Sequence, residues 1–177
     1  VTTRAHLARA VGRPHRPAGA PRTTGFTLIE LMVVVAVLAI LAMIALPNLQ
    51  DKLVRDQIVE AAKLADLAKA PVSSAWLARR ALPADNAAAG LPPADKIVSS
   101  FVSAVAIESG AVHITFGNQA NGLIRGKVLT LRPAVVDDAP VVPVSWVCGR
   151  AAVPNRMSAK GVDRTDVPAK VLPLNCR

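Results

Sequence analysis

GFTLIELMVVVAVLAILAMIALP, Gly25–Pro47, is the stretch whose reading decides the fold. Leu31 to Leu46 contains no polar residue. With Phe26 to Ile29 added, the run reaches roughly 20 residues, enough to cross a hydrocarbon core as a helix. Glu30 lies in its first turn. A central carboxylate in such a segment costs about 2.5–3.5 kcal/mol on insertion scales, less near an end, and needs a partner. Working outward, five arginines (Arg4, Arg9, Arg13, Arg16 and Arg22) and no acid precede Gly25. That charge suits the positive-inside rule and keeps the N-terminus cytoplasmic. The segment is unlike a secretory signal peptide, because the apolar run comes after Gly25 instead of preceding a small-residue cut.

Composition bounds the rest. The chain has 177 residues, 52% of them hydrophobic, which fits one membrane helix and one small globular domain. The net charge of +9 belongs in large part to the segment before Gly25. From Phe26 onward the chain carries 16 basic and 12 acidic residues, so a nucleic-acid reading does not rest on charge. Cys148 and Cys176 are the two cysteines. If the helix leaves the C-terminus outside, they face an oxidising compartment where a disulfide is expected. Two thiols without nearby histidine are a poor metal site.

Phe26 to about Arg80 reads as one long helix, apolar all round at first and amphipathic later. Leu49, Leu53, Ala61, Leu64 and Ala68 recur at helical spacing, and Val54, Ile58 and Ala65 widen the stripe. Pro47 removes a hydrogen bond and is expected to kink or loosen the helix, and Pro71 does likewise near Leu67. Pro83 to Pro93 is turn-rich and is expected to wrap the surface. Three strands are expected, over Ala111–Phe116, Lys127–Arg132 and Val142–Val147, with His113 on the solvent side of the first. The fold class is α+β: a long N-terminal helix packed on a small antiparallel sheet.

GFTLIELMVVVAVLAILAMIALP resembles the processing site and N-terminal helix of type IV pilins. DNAAAGL (Asp85–Leu91), ITFGNQAN (Ile114–Asn121), GKVLTLRP (Gly126–Pro133) and the pair WVCG…LPLNCR extend the resemblance over most of Gly25–Arg177. The absence of tyrosine departs from the aromatic-rich sheets common in the family.

The resemblance implies three parts. Residues 1–25 are a leader, residues 26–50 the transmembrane and filament-core half of the helix, and residues 51–177 the pilin domain with its C-terminal disulfide loop. It implies cleavage by a prepilin peptidase between Gly25 and Phe26, and N-methylation of Phe26. Glu30 would be neutralised by the amine of a neighbouring subunit, Pro47 would mark the loosening point, and Cys148 would pair with Cys176. The implied function is a structural subunit of type IV pili serving adhesion, twitching motility or DNA uptake. It would start in the inner membrane with its assembly machinery and end in an extracellular homo-oligomeric filament. The alternatives are a minor pilin acting as a DNA- or ligand-binding tip module and a type II secretion pseudopilin, against which the cysteine pair argues.

An enzyme is not expected, and no cofactor or metal site is read. His113 is the one histidine after Gly25, so no Ser/His/Asp set assembles around a second one. Asp137-Asp138 could help hold a cation but reads as a solvated turn. Arg79, Arg80, Lys96, Arg125, Lys127 and Arg132 are the candidates for DNA phosphate, with a solvated surface as their default reading.

Overall fold

The computed structural model describes residues 25–177, apart from the side chains of residues 46–48. The leader expected over residues 1–25 therefore lies, except for Gly25, outside the described residues. Two compact units divide between Ile40 and Leu41.

Helix α1 spans Leu28–Leu64 and α2 spans Asp66–Arg79. The single long helix expected from the sequence is thus interrupted at Ala65. There the Ala68 N–H bonds the Ala65 carbonyl at 2.9 Å, a tighter i→i+3 turn. The interruption lies N-terminal to Leu67, where loosening by Pro71 was expected. Pro71 itself sits inside α2, and α1 runs through Pro47.

The buried stripe is Val54, Ile58, Ala61, Ala65, Ala68 and Val72, each with no exposed surface. It steps alternately by four and three residues and passes through the interruption without changing face. This corrects the expected stripe: Leu49 and Leu53 are both 54% exposed. Ala61, Ala65 and Ala68 pack in one core cluster with sheet residues such as Val112, Ile114 and Leu129.

Strands β1 (Val102–Glu108), β2 (Ala111–Phe116), β3 (Val128–Val135) and β4 (Ser145–Cys148) form an antiparallel sheet in that order. A short β5 (Ser158–Ala159) pairs with β3 beyond the end of β2. Strand β1 was not expected, because its run VSAVAIE holds small residues and the spacing of its inward residues Val102, Val105 and Ile107 is broken by a register shift between Val102 and Ala104. It joins β2 through Ser109-Gly110, both at positive φ, the two-residue turn that matches strand twist. A β-carbon on Gly110 would also lie 2.8 Å from Leu82. Strand β3 runs past the expected end at Arg132. Pro133 is tolerated because its carbonyl, and hence its missing N–H, faces the gap between β2 and β5, where it accepts from the Lys160 N–H at 2.8 Å.

Val112, Ile114, Phe116, Leu129 and Leu131 share the core with the helix stripe. The segment from Pro83 to Pro93 does more than wrap the surface. Asn86 is buried, and its amide nitrogen donates to the carbonyls of Val105 and Pro92, each at 3.0 Å. Its Oδ1 accepts from the Ile107 N–H at 2.6 Å. Two backbone bonds, Ser109 N–H to Ala84 and Gly110 N–H to Pro83, continue the seal. The outer edge of β1 is thereby covered, which removes a template for pairing with other chains.

Asn86→Ala leaves buried backbone groups of β1 without partners, so unfolding free energy in urea should fall by about 2–3 kcal/mol. A loss below about 0.5 kcal/mol, within the range of ordinary surface changes, would show that water replaces the amide.

Candidate functional site

Every residue from Gly25 to Ala45 is exposed. Phe26, Leu28, Ile29 and Met43 each show more than two thirds of their surface. The most apolar window of α1 has a mean hydropathy of 2.9, so the helix is long and apolar enough to cross a membrane. An apolar surface this large is not stable in water and requires lipid or other protein around it.

Glu30 stands at the start of this surface. Thr27 caps α1: its Oγ1 accepts from the Glu30 N–H at 3.3 Å, and its carbonyl accepts from Leu31 at 3.2 Å. Thr27 and Glu30 have the spacing of a capping box, a signal present in the sequence and not used in reading it. The Glu30 carboxylate favours the positive end of the helix dipole. Among the described residues it has no ion pair or hydrogen bond of its own.

The second region is the C-terminal loop closed by the Cys148–Cys176 disulfide. From Gly161, whose φ is +80° and whose added β-carbon would meet Ala111, the chain crosses the sheet face that points away from the helix. The Arg164 N–H bonds the Thr130 hydroxyl at 3.0 Å, the Thr130 N–H bonds the Thr165 hydroxyl at 3.1 Å, and the Asp166 N–H bonds the Val128 carbonyl at 3.1 Å. The loop then turns inward, and Val167, Val171 and Leu172 enter the main core with no exposed surface. Beside β3, Asp137 accepts from the Ser158 hydroxyl and the Lys160 ammonium, at 2.7 and 2.8 Å; the lysine first and the serine second hold its carboxyl below the usual range. Of the acidic pair, Asp137 thus supplies an anchor for β5.

This crossing strap corrects the placement of His113. Alternation does put its side chain on the face away from the helix, but the strap covers that face and leaves it 5% exposed. Nδ1 lies 2.9 Å from the Thr130 hydroxyl, and Nε2 lies 3.7 Å from Glu108, which itself pairs with Arg164 at 2.8 Å. Burial, with the Arg164 charge second, lowers the His113 pKa below 6.5; Glu108 and Asp163 oppose the shift.

Catalytic geometry does not assemble around these groups. Among the described residues no three of His, Cys, Asp and Glu cluster as metal ligands. Of the six basic candidates for nucleic-acid contact, Lys96 pairs with Asp95, Lys127 pairs with Asp166, and Arg125 bonds the Ala120 carbonyl. Phe116 is core, and Trp146 packs against the core with Lys69 6.0 Å from its ring centre.

Residues 54–177 match the family described as Pilin (bacterial filament), and residues 21–46 match the prokaryotic N-terminal methylation motif. The chain is 39% identical over 160 residues to the type IV major pilin protein PilE1 of Neisseria gonorrhoeae, covering 86% of each. It is 35% identical over 162 residues to a fimbrial protein of Neisseria meningitidis serogroup A, covering 86% of this chain and 93% of that one. It is 38% identical over 157 residues to the fimbrial protein EcpC of Eikenella corrodens, covering 86% and 90%.

The loop yields two expected outcomes. Cys176→Ser should lower unfolding free energy by about 3.5 kcal/mol, read as a reduced urea midpoint, whereas free thiols at both positions in protein isolated without reductant would contradict the bond. For His113, the unfolded chain binds the proton at higher pH than the folded one. Stability is therefore complete above pH 6.5, falls as pH drops below it, and levels off beneath the native pKa. Urea midpoints of His113→Gln should lose that slope.

Proposed function

The chain belongs to the pilin family, and from that membership we infer how its parts are used. It is a structural subunit of type IV pili and not an enzyme. The relatives are named as major pilins and fimbrial proteins, which does not favour a tip-binding module or a secretion pseudopilin.

In the reading proposed, the basic leader holds the N-terminus in the cytoplasm while residues 26–50 cross the inner membrane and residues 51–177 fold outside. The peptidase cuts between Gly25 and Phe26, where the lack of a side chain at Gly25 leaves the scissile bond open. The new Phe26 amine is methylated and keeps its positive charge. Assembly moves the apolar half of α1 from lipid into a bundle of like helices, with Pro47 as the point where the helix gives. The finished product is an extracellular filament.

The observation that carries this reading is the combination of an exposed apolar helix and a Glu30 carboxylate that has no partner among the described residues. In lipid, Glu30 sits near the interface at modest cost. In a protein bundle it is buried, and burial of a lone carboxylate is costly unless a cation lies beside it. The Phe26 amine of a neighbouring copy is a cation at the same end of the helix. The pair therefore sets the axial register of one subunit against the next, a role that buried polar pairs fill in other helical assemblies.

Glu30→Ala removes the charge while leaving the apolar surface intact. Membrane levels of the processed subunit should stay normal and filaments should be lost, as seen by shearing and electron microscopy. Normal piliation in this variant would contradict the pairing.

A further inference from the structure

His113 belongs to a ring of residues that ties the strap to the sheet. The Thr130 hydroxyl accepts the Arg164 N–H at 3.0 Å, and the same oxygen lies 2.9 Å from His113 Nδ1. Thr130 has no exposed surface, and among the described residues its hydroxyl proton has Nδ1 as its acceptor. The network therefore fixes the tautomer: Nδ1 accepts and Nε2 carries the hydrogen. Nε2 is buried with no hydrogen-bond partner, 3.7 Å from the Glu108 carboxylate. That carboxylate is held by the Arg164 guanidinium at 2.8 Å. Arg164 thus grips the sheet twice, through its main chain at Thr130 and its side chain at Glu108, and both of those partners also face His113.

A proton on Nδ1 weakens both grips. With Nδ1 turned donor, the Thr130 oxygen must accept from it as well as from Arg164, and the hydroxyl proton loses its acceptor in a site closed to solvent. The imidazolium at Nε2 competes for Glu108 and repels the Arg164 guanidinium. The two ends of the segment are held independently. The Lys160 N–H bonds the Pro133 carbonyl at 2.8 Å and its ammonium pairs with Asp137. The Asp166 N–H bonds the Val128 carbonyl at 3.1 Å and its carboxylate pairs with Lys127. We propose that His113, Thr130, Glu108 and Arg164 form an acid-operated latch, in which protonation of His113 frees residues 161–164 from the sheet while Lys160 and Asp166 stay attached. The charged groups around the imidazole are Glu108 on β1, Arg164 and Asp163 on the strap, and Arg132, two residues beyond Thr130 on the same face of β3. Burial and Arg164 hold the His113 pKa below 6.5 against Glu108 and Asp163, so the latch is closed at neutral pH and opens in acid. Opening uncovers the sheet at His113 and leaves the disulfide and the inward part of the loop in place. The latch lies wholly within the globular domain and is independent of how α1 is used.

The test follows the full chain in detergent micelles by ¹⁵N NMR from about pH 7.5 to about pH 4.5. The imidazole nitrogen signals of His113, identified by their loss in His113→Gln, report tautomer and titration. Amide exchange, corrected for the intrinsic effect of pH, reports each hold. At neutral pH the proposal expects the Nε2–H tautomer. As His113 takes up its proton, protection of the Arg164 amide should fall by up to about tenfold for each pH unit by which the native pKa lies below 6.5, while the Lys160 and Asp166 amides keep theirs. In His113→Gln the Arg164 amide should be protected equally at both ends of the range. Arg164→Gln removes the guanidinium and keeps the N–H, so the His113 midpoint should rise. The proposal is overturned by a histidine that stays neutral throughout, by Arg164 protection that ignores the titration, or by the same pH dependence in His113→Gln. It is equally overturned by a midpoint unmoved in Arg164→Gln, or by simultaneous loss of protection at Lys160 and Asp166.

Discussion

The exposed apolar half of α1 is the constraint on which the rest of this structure depends. Burying one large aliphatic side chain is worth about 1.5–3 kcal/mol, and Phe26 to Ile44 holds more than a dozen such residues. The total exceeds by a wide margin the stability of an ordinary domain, about 5–15 kcal/mol. The subunit therefore has no state in which this helix is both alone and in water. It is held by lipid or by copies of itself, and the globular domain must tolerate either setting.

The domain meets that demand by closing its own surfaces. The stripe from Val54 to Val72 is consumed by the sheet, so the later part of the helix is spoken for. Asn86 and the loop around it cover the free edge of β1. The strap inside the disulfide loop covers the outer face of β2 and β3 and sends Val167, Val171 and Leu172 back into the core. Among the described residues the apolar half-helix stays exposed, and it is the surface through which association proceeds in the reading proposed. A heterologous contact of that kind, repeated, builds a filament instead of a closed ring.

Much of this was legible in the sequence, for physical reasons that differ by element. The apolar run, Glu30 and the two cysteines are local signals, readable without knowing the fold. Strand β2 was legible because its alternation is regular. Strand β1 was not, since alanine and serine carry little alternation, and its identity as a strand comes from pairing with β2. The buried stripe was largely legible, since Val54, Ile58, Ala61, Ala65 and Ala68 recur at helical spacing; Leu49 and Leu53 belong to the same apolar pattern and stay exposed. His113 was placed on the correct face and given the wrong environment. No local pattern announces that a segment 50 residues later will lie across it. Asn86 was hidden similarly: an asparagine in a turn-rich run reads as a turn former, and its role depends on β1 being an edge.

The central claim is that the Glu30 carboxylate of one subunit meets the Phe26 amine of another. It is tested most directly by solid-state NMR on filaments assembled from a mixture of two subunit pools. One pool carries ¹⁵N at the Phe26 amine and the other ¹³C at the Glu30 carboxylate, so any through-space transfer is between copies. The account predicts a contact at salt-bridge distance, within about 4 Å, and a carboxylate shift typical of the ionised form. A filament with well-resolved signals at both sites and no transfer between them would contradict it.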